Sequence, residues 1–354
     1  MNNNILVTGG SGFIGSNFIQ YLINHSDYKK IINLDKLTYA GNSDNLINIE
    51  NDPRYKFVKG DICNRDFINK IFHDYKPIII VHFAAESHVD RSIDGPKDFI
   101  DTNIIGTYNL LQESLNIYSK LNKESKSFFK FHHISTDEVF GSLGESGYFT
   151  EYTAYDPSSP YSASKASSDH LVRAWHRTFG LPITISNCSN NYGPYQFPEK
   201  LIPLMIINCL SNKKLPVYGK GENVRDWLYV EDHCKAIDLI LKDGLIGETY
   251  NIGGNNEIKN IKIVKSICSI LDTLEPTKSL KQYSDLITFV SDRPGHDFRY
   301  SIDTTKIKYE LNWGPEESFD TGLLKTIKWY LDNEIWWKKI QNHVYNQERL
   351  GIES

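Results

Sequence analysis

Residues 4–22 read NILVTGGSGFIGSNFIQYL. Ile5, Leu6 and Val7 make a short buried-strand pattern, Gly9, Gly12 and Gly15 follow at three-residue intervals, and apolar residues then recur at helical spacing from Phe13 to Leu22. Strand, tight turn and helix in that order are the context a glycine-rich dinucleotide motif needs. The turn lets backbone N–H groups approach a pyrophosphate at the helix N-terminus. A second apolar run, Ile31 to Leu34, ends in Asp35, twenty residues past Gly15. An acid there accepts hydrogen bonds from the adenosine ribose and repels a 2′-phosphate, which favours NAD over NADP. This start predicts an α/β fold, a Rossmann-type doubly wound parallel sheet, with a smaller α/β substrate domain towards the C-terminus.

Outward from that start the strand signals repeat. Lys56 to Lys59 is followed by Gly60, Asp61 and Ile62, and Asp61 is placed to meet the adenine amino group. Ile78 to Phe83 is an apolar run interrupted only by His82, as a central parallel strand covered on both faces requires. Small Ala84 and Ala85 then let the chain pass close to a cofactor, and Glu86, Ser87 and His88 fall at a strand's carboxyl end, where open α/β sheets bind ligands. His88 is read as a loop histidine without a catalytic role. Phe128 to Ser135 and Ile183 to Cys188 are further strands. His132 and His133 lie inside the first of these without a partner at metal-ligand spacing, so they are read as structural and no metal site is expected. Residues 98–121 and 162–179 read as long helices with more apolar positions than one core contact uses, which fits either a helix-pair dimer interface or further contact with the core.

After Cys188 the composition changes. SNNYGPYQFPEKLIP, residues 189–203, is rich in Gly, Pro, Asn and aromatics, like a ligand-facing crossover. A short strand, Leu215 to Tyr218, precedes Arg225, the strongest cation candidate for a phosphate. Val230 onward reads as a helix, Thr249 to Ile252 as a returning strand and Ile261 to Leu271 as a helix. The loop DRPGHD and two short amphipathic helices with a Trp-rich tail complete the chain. The expected division is 1–188 plus about 224–252 for the NAD-binding domain, and 189–223 plus about 253–340 for the substrate domain.

At 354 residues, 40% hydrophobic and 23% charged, the chain has a globular composition, and its length exceeds one ordinary core. A net charge of -5 argues against nucleic acid as a partner. Five scattered cysteines with no CxxC read as free thiols in a reducing compartment. No signal peptide is visible and no apolar run approaches the ~20 residues that cross a bilayer, so the expectation is a cytoplasmic protein without membrane contact.

The chemistry lies in STDEVFG, residues 135–141, and YSASK, residues 161–165. Tyr161 and Lys165 are one helical turn apart. An ammonium beside a phenol, with an oxidised nicotinamide ring nearby, favours the phenolate, which can take a proton from a substrate alcohol as hydride leaves the same carbon. Thr136 can hydrogen-bond the same oxygen. A simple dehydrogenase needs no more, so Asp137 and Glu138 are surplus. Once a ketone forms, the neighbouring C–H is acidic. Glu138 can remove that proton while a protonated Asp137 assists a leaving hydroxyl. A 4-epimerase or decarboxylase on this machinery has no need of the two acids, and an NAD-sensing regulatory protein has no need of the Tyr/Lys pair.

GGSGFIG, AAESHVDRS, STDEVFG, YSASK, NNYGPYQFPEKLIP, RDWLYVEDH, YNIGG and DRPGHD together resemble the nucleotide-sugar 4,6-dehydratases of the extended short-chain dehydrogenase/reductase family, over nearly the whole chain. The resemblance implies bound NAD, a homodimer and a nucleoside-diphosphate glucose substrate, dTDP-glucose ahead of UDP-glucose. Its product would be a 4-keto-6-deoxy sugar for rhamnose-type deoxysugar synthesis. Cofactor contacts implied are Gly9, Gly12, Phe13, Ile14 and Gly15 in the first turn and Asp35, Lys36, Leu37 and Thr38 after the second strand. Further ones are Asp61, Ile62, Phe83, Ala84, Ala85, Ser87, Thr102 and Asn191, with Tyr161 and Lys165. Substrate contacts implied are Ser87, Thr136, Asn190, Lys200 and Leu201, then Pro216, Val217, Tyr218, Arg225 and Asn260, and finally Arg293 and His296. Phe140 stands where the family usually has tyrosine, and the stretch from Gly141 to Glu151 is shorter than in many bacterial relatives.

Overall fold

The computed structural model describes residues 3–277, 279–292 and 296–343. In its first half, strands β1 (Asn4–Thr8), β2 (Lys30–Asp35), β3 (Tyr55–Lys59), β4 (Ile79–His82), β5 (Lys130–Thr136) and β6 (Ile183–Cys188) alternate with helices. These are α1 (Phe13–His25), α2 (Arg65–Tyr75), α3 (Val89–Asp94), α4 (Pro96–Phe99), α5 (Thr107–Lys120), α6 (Lys123–Phe128) and α7 (Pro160–Phe179). The second half holds β7 (Asn190–Tyr192), α8 (Leu201–Leu210), β8 (Leu215–Tyr218), β9 (Val224–Tyr229), α9 (Val230–Asp243), β10 (Thr249–Ile252) and β11 (Glu257–Lys259). It continues with α10 (Asn260–Leu274), β12 (Ile287–Val290), α11 (Thr305–Leu311), α12 (Phe319–Asp332) and α13 (Glu334–His343).

The expected α/β architecture is present as a seven-stranded sheet in the order β10-β6-β5-β4-β1-β2-β3, every pair parallel. The order turns at β1, with β2 on one side and β4 on the other, and the crevice beyond the carboxyl ends there is where doubly wound sheets bind ligands. Helices α1 and α9 cover one face: Phe18, Ile19, Leu22, Val230, Ile237 and Leu241 pack on Ile5, Val7, Ile31 and Val81. The opposite face buries Leu6, Ile32, Ile80, Phe131 and Ile183 under Ile68, Ile71, Leu110, Leu111 and Val172 of α2, α5 and α7. Strand β5 is buried at all seven positions. Its polar side chains are accordingly partnered: His132 Nδ1 lies 2.8 Å from Thr184 Oγ1 and Nε2 lies 3.1 Å from Ser186 Oγ. Lys130 Nζ donates to the carbonyls of Ile240, Leu241 and Gly244, so a cation from the sheet caps the carboxyl end of α9.

A second core lies outside this sheet. Ile202, Met205 and Ile206 of α8, Ile263, Val264 and Ile267 of α10, and Leu323 and Ile327 of α12 pack with Leu215, Val217, Tyr192 and Trp227. Here β9 pairs with β7 and β11, and β8 with β12, in two small sheets. Of the segment 224–252, therefore, α9 and β10 join the large sheet, whereas β9 joins the small one.

The helix expected over 98–121 is interrupted. Ile100–Gly106 is a π-helical turn between α4 and α5. Asn103, inside it, holds Glu86 through both backbone groups and also donates to Ser164 Oγ of α7 at 2.8 Å. Gly106 lies against Ile62, where a Cβ would come within 2.5 Å of a side-chain carbon. The wider turn thus aims Asn103 at the carboxyl end of β4, and π turns of this kind gather at functional sites.

Candidate active site

One cleft runs along the carboxyl ends of the central strands. Gly9, Gly12, Phe13, Ile14 and Gly15 line its floor, and Asp35, Lys36, Thr38, Asp61 and Ile62 line one end. Phe83, Ala84, Ala85, Ser87 and Thr102 line a wall. Thr136, Asp137, Glu138, Tyr161, Lys165, Asn190, Asn191 and Lys200 line the other end.

The first turn is built by close approach. Gly9 has φ +71, and a Cβ there would lie 2.6 Å from the Ala84 nitrogen. At Gly15 a Cβ would lie 2.3 Å from the Gly9 carbonyl oxygen. Gly12 is the N-cap of α1 and, without a side chain, offers the first-turn N–H groups no capping oxygen of its own. The Asp35 carboxylate accepts from the Ser11 nitrogen at 2.9 Å and the Leu37 nitrogen at 2.7 Å, which ties the turn to the loop after β2. Asp61 pairs with Lys36 at 2.7 Å. A helix N-terminus whose N-cap has no side chain, a turn stripped of side chains and an anchored acid at the far edge fit a dinucleotide.

Tyr161 and Lys165 are set by α7. Its start is fixed by a capping box, in which Ser159 and Ser162 exchange side-chain bonds to each other's backbone nitrogens, with Pro160 in the first turn. Gly180, left-handed at φ 68, ends it. Tyr161, Lys165 and Thr136 are all buried. Lys165 Nζ donates to the Ile134 carbonyl at 2.7 Å. Burial pushes the Tyr161 phenol well above its ordinary range, Glu138 and Cys188 push it further, and the Thr136 hydrogen bond opposes them. The sequence-based expectation had a lysine lowering the phenol. In the folded chain burial is the foremost cause that raises the phenol, and burial lowers Lys165 itself.

Asp137 and Glu138 form a 3-10 turn at the end of β5, with Thr136 as its N-cap accepting from the Glu138 nitrogen. Asp137 is buried, its Oδ2 has no hydrogen-bond partner among the described residues, and its carboxyl is pushed well above the carboxylate range by burial, then by Glu138 and Asp226. Glu138 is only half-buried. The pair therefore presents an acid biased towards its protonated form beside a second carboxyl group in a wetter setting.

Several expected residues do not line this cleft. Leu37 shapes the loop, with φ 57 and its nitrogen bonded to Asp35. Leu201 packs against the second core and Val217 is buried within it. Arg225 turns its guanidinium to the Phe298 and Asp297 carbonyls and over the Tyr300 ring at 4.2 Å. Tyr218 and His296 meet edge to face at 6.0 Å, and Pro216 and Asn260 also lie off the cleft lining. Arg293 is outside the described residues. The cleft also contains residues not singled out from the sequence: Cys188, Ser189, Gln196, Phe197 and Glu199. Glu199 is clamped by Arg91 Nε at 3.1 Å. Its position beside Lys200 in QFPEK was the available signal.

Among the described residues no group of His, Cys, Asp and Glu is placed to hold a metal ion, and no helix is long and apolar enough to cross a membrane.

A glycine turn under a parallel sheet, with Thr136, Tyr161 and Lys165 at the far end of one cleft, is the arrangement of an extended short-chain dehydrogenase/reductase. The family profile described as GDP-mannose 4,6 dehydratase matches residues 6–326. The dTDP-glucose 4,6-dehydratase of Escherichia coli is 57% identical, over 98% of this chain and 99% of that protein. The crystal structure of dTDP-glucose 4,6-dehydratase from Bacillus anthracis in complex with NAD has a TM-score of 0.84 at 48% identity, covering 95% of this chain and 99% of that one. That of the Streptomyces venezuelae enzyme, with NAD and TYD bound, has a TM-score of 0.87 at 45% identity and the same coverage. The chain belongs to the nucleotide-sugar 4,6-dehydratase family.

Proposed function

We propose that the chain is a hydro-lyase that holds NAD tightly and dehydrates dTDP-glucose to the 4-keto-6-deoxy sugar. The observation that carries this reading is Asp137, a buried carboxyl biased towards its protonated form, with an oxygen unpartnered among the described residues, one residue from half-buried Glu138 and in the same cleft as Tyr161. The relatives that bind NAD and act on dTDP-glucose support the cofactor and the nucleotide.

NAD, when bound, supplies the hydride acceptor for C4 and the hydride donor for C6. The chain's own groups move the protons. Tyr161, with Thr136 hydrogen-bonded to it, takes the C4 hydroxyl proton. The 4-ketone then acidifies C5–H; Glu138 removes that proton and gives it back to C5 when hydride adds at C6. Hydroxide is a poor leaving group, so Asp137 gives its proton to the C6 oxygen as the C–O bond breaks. With the phenol raised by burial, ionisation of Tyr161 depends on added positive charge, which Lys165 and the oxidised nicotinamide both provide. The two separate cores support a division into a nucleotide unit and a sugar-nucleotide unit. Exposed Ile100, Ile105 and Phe179, around α5 and α7, support a homodimer through that helix pair.

Mass analysis of the product tests the assignment. Incubation with dTDP-glucose is expected to give a product lighter by one water. An unchanged mass, or an isomer of equal mass, rules the dehydratase out.

A further inference from the structure

A second polar cluster lies behind the cleft, on the face of β5 that packs against α7, and of its members only Lys165 enters the steps above. Strand alternation puts His133 and Ser135 on that face, and helical spacing puts Lys165 and Asp169 opposite them. His133 Nε2 is 3.2 Å from Asp169 Oδ1, and both side chains are fully buried. The same ring nitrogen is 3.4 Å from Lys165 Nζ. Asp169 Oδ2 accepts from Ser135 Oγ and from Tyr155 Oη, each at 2.8 Å, and Arg173 donates to that tyrosine oxygen at 2.8 Å. Ser168 Oγ lies 3.3 Å from the same nitrogen, so His133 Nε2 sits between the carboxylate, the ammonium and a hydroxyl, and neither His133 Nδ1 nor Asp169 Oδ1 has a hydrogen-bond partner among the described residues.

Two further titratable groups beside this cluster are held towards their uncharged forms by burial. His82 on β4 stacks 5.2 Å from the His133 ring and is held uncharged by burial, and the Cys188 thiol on β6 is pushed up to about 12. His133 itself is pushed down to about 4 by burial and by Lys165. The charged groups left are Lys165, Asp169 and, beyond Tyr155, Arg173. His133, Lys165 and the Ser135 hydroxyl all hold the Asp169 carboxyl below the usual range against its burial, and Asp169 is the main group that raises Lys165 against its own. A buried ammonium without a counter-charge gives up its proton.

We propose that Asp169, with His133 between them, is the buried counter-ion that keeps Lys165 a cation beside Tyr161, a positioning residue two helical turns behind the phenol. This rests on the proposed role of Tyr161. A helix rises about 1.5 Å per residue, so Lys165 is displaced roughly 6 Å along α7 from Tyr161 and Asp169 roughly 12 Å. Loss of the Asp169 charge therefore reaches the phenol chiefly through loss of the Lys165 cation, and it makes Tyr161 harder to ionise.

The test is Asp169→Asn in the full-length, NAD-loaded enzyme. The absorbance of reduced nicotinamide is followed after mixing with dTDP-glucose across a pH series. The acid limb is expected to move up by about one pH unit. The rate at neutral pH falls about tenfold and recovers in alkali, KM is unchanged, and Asp169→Glu reverses the shift. Ultraviolet difference titration without substrate, each protein against its Tyr161→Phe counterpart, should show the same displacement of the tyrosine ionisation. Rates lowered equally at every pH, with an unmoved ionisation, overturn the proposal. If Asp169→Asn does not fold, Asp169→Ser, which also removes the charge while keeping an acceptor for Ser135 and Tyr155, should give the same displacement to higher pH; no displacement overturns the proposal equally. A wild-type enzyme that shows no reduction with dTDP-glucose sinks the proposed function, and the ultraviolet titration then decides on Asp169 alone.

Discussion

Asp137 and Glu138 are consecutive residues in unlike surroundings: Asp137 is 2% exposed with an oxygen unpartnered among the described residues, and Glu138 is half-buried. A turn that begins at Thr136 divides them, sending one carboxyl into the dry end of the cleft and the other towards its wetter part. Environment alone then separates an acid from a base.

Substitution of either residue is expected to uncouple oxidation from dehydration. Glu138→Gln keeps substrate-dependent reduction of NAD but lowers water loss by about 100-fold or more, the usual worth of a positioned proton-transfer group. Asp137→Asn lowers water loss similarly, because an amide cannot supply the proton. Rapid-mixing absorbance combined with product mass separates the two steps. Full product formation by Glu138→Gln would show that another group is the base.

The same contact sets a pH dependence. Glu138 raises the Tyr161 phenol, so its neutralisation lowers that ionisation. The acid limb of NAD reduction is expected to lie at lower pH in Glu138→Gln than in the wild type. Water loss in the wild type should also decline in alkali, as Asp137 loses its raised proton. A pH series on both proteins checks the two signs together.

The glycine turn and the Tyr/Lys pair were legible because each is a local pattern: spacing along one strand-turn-helix or one helix turn places those groups wherever the sheet lies. The π turn at Ile100–Gly106 was not, since Asn103 makes sense only once Glu86 and Ser164 have been brought to it from other elements. His133 was read as a structural histidine because nothing nearby in sequence is a metal partner. Its actual neighbours, Lys165 and Asp169, are thirty-two and thirty-six residues on and arrive by packing of α7 on β5. Arg225 was read from charge alone, and the fold gives its guanidinium to carbonyls of the 297–298 loop.

Gly9→Ala is expected to yield protein without bound nicotinamide. The backbone at φ +71 and a Cβ 2.6 Å from the Ala84 nitrogen both oppose a side chain. The backbone term alone is about 1–2 kcal/mol. The cofactor content of the purified variant, together with its Tm, is the measurement; unchanged content would mean the turn is more yielding than its geometry.

Acid should destabilise the chain through its buried imidazoles. His133 is pushed down to about 4 and His233 to about 3, against about 6.5 in the unfolded chain. Above pH ~6.5 both states carry neutral rings. As pH falls towards 4 only the unfolded state takes up protons, so stability is lost across that window, on the order of 3 kcal/mol per ring. Urea midpoints measured from pH 7 to 4.5 should fall steadily; a flat series contradicts the assignment.

Discrimination between dTDP-glucose and UDP-glucose is expected to be modest. A single methyl group in a pocket is worth about 10- to 200-fold in kcat/KM. Parallel rate measurements with the two substrates give the ratio directly, and equal rates would mean that the base is held without a pocket for the methyl.

The pairing of β10 with β6 bears on how the protein is made. The second core opens between them, so the free edge of β6 waits for a partner until residues 249–252 leave the ribosome. At roughly 5–20 residues per second that interval is several seconds. Through it, a nascent chain carries an unpaired edge beside Ser186, Asn187 and Cys188, next to the strand that bears the reactive acids. The nucleotide-binding half is thus begun first, but its sheet is completed only after β7, α8, β8 and β9 have emerged, and a chaperone or early capture of NAD has its opportunity in that pause.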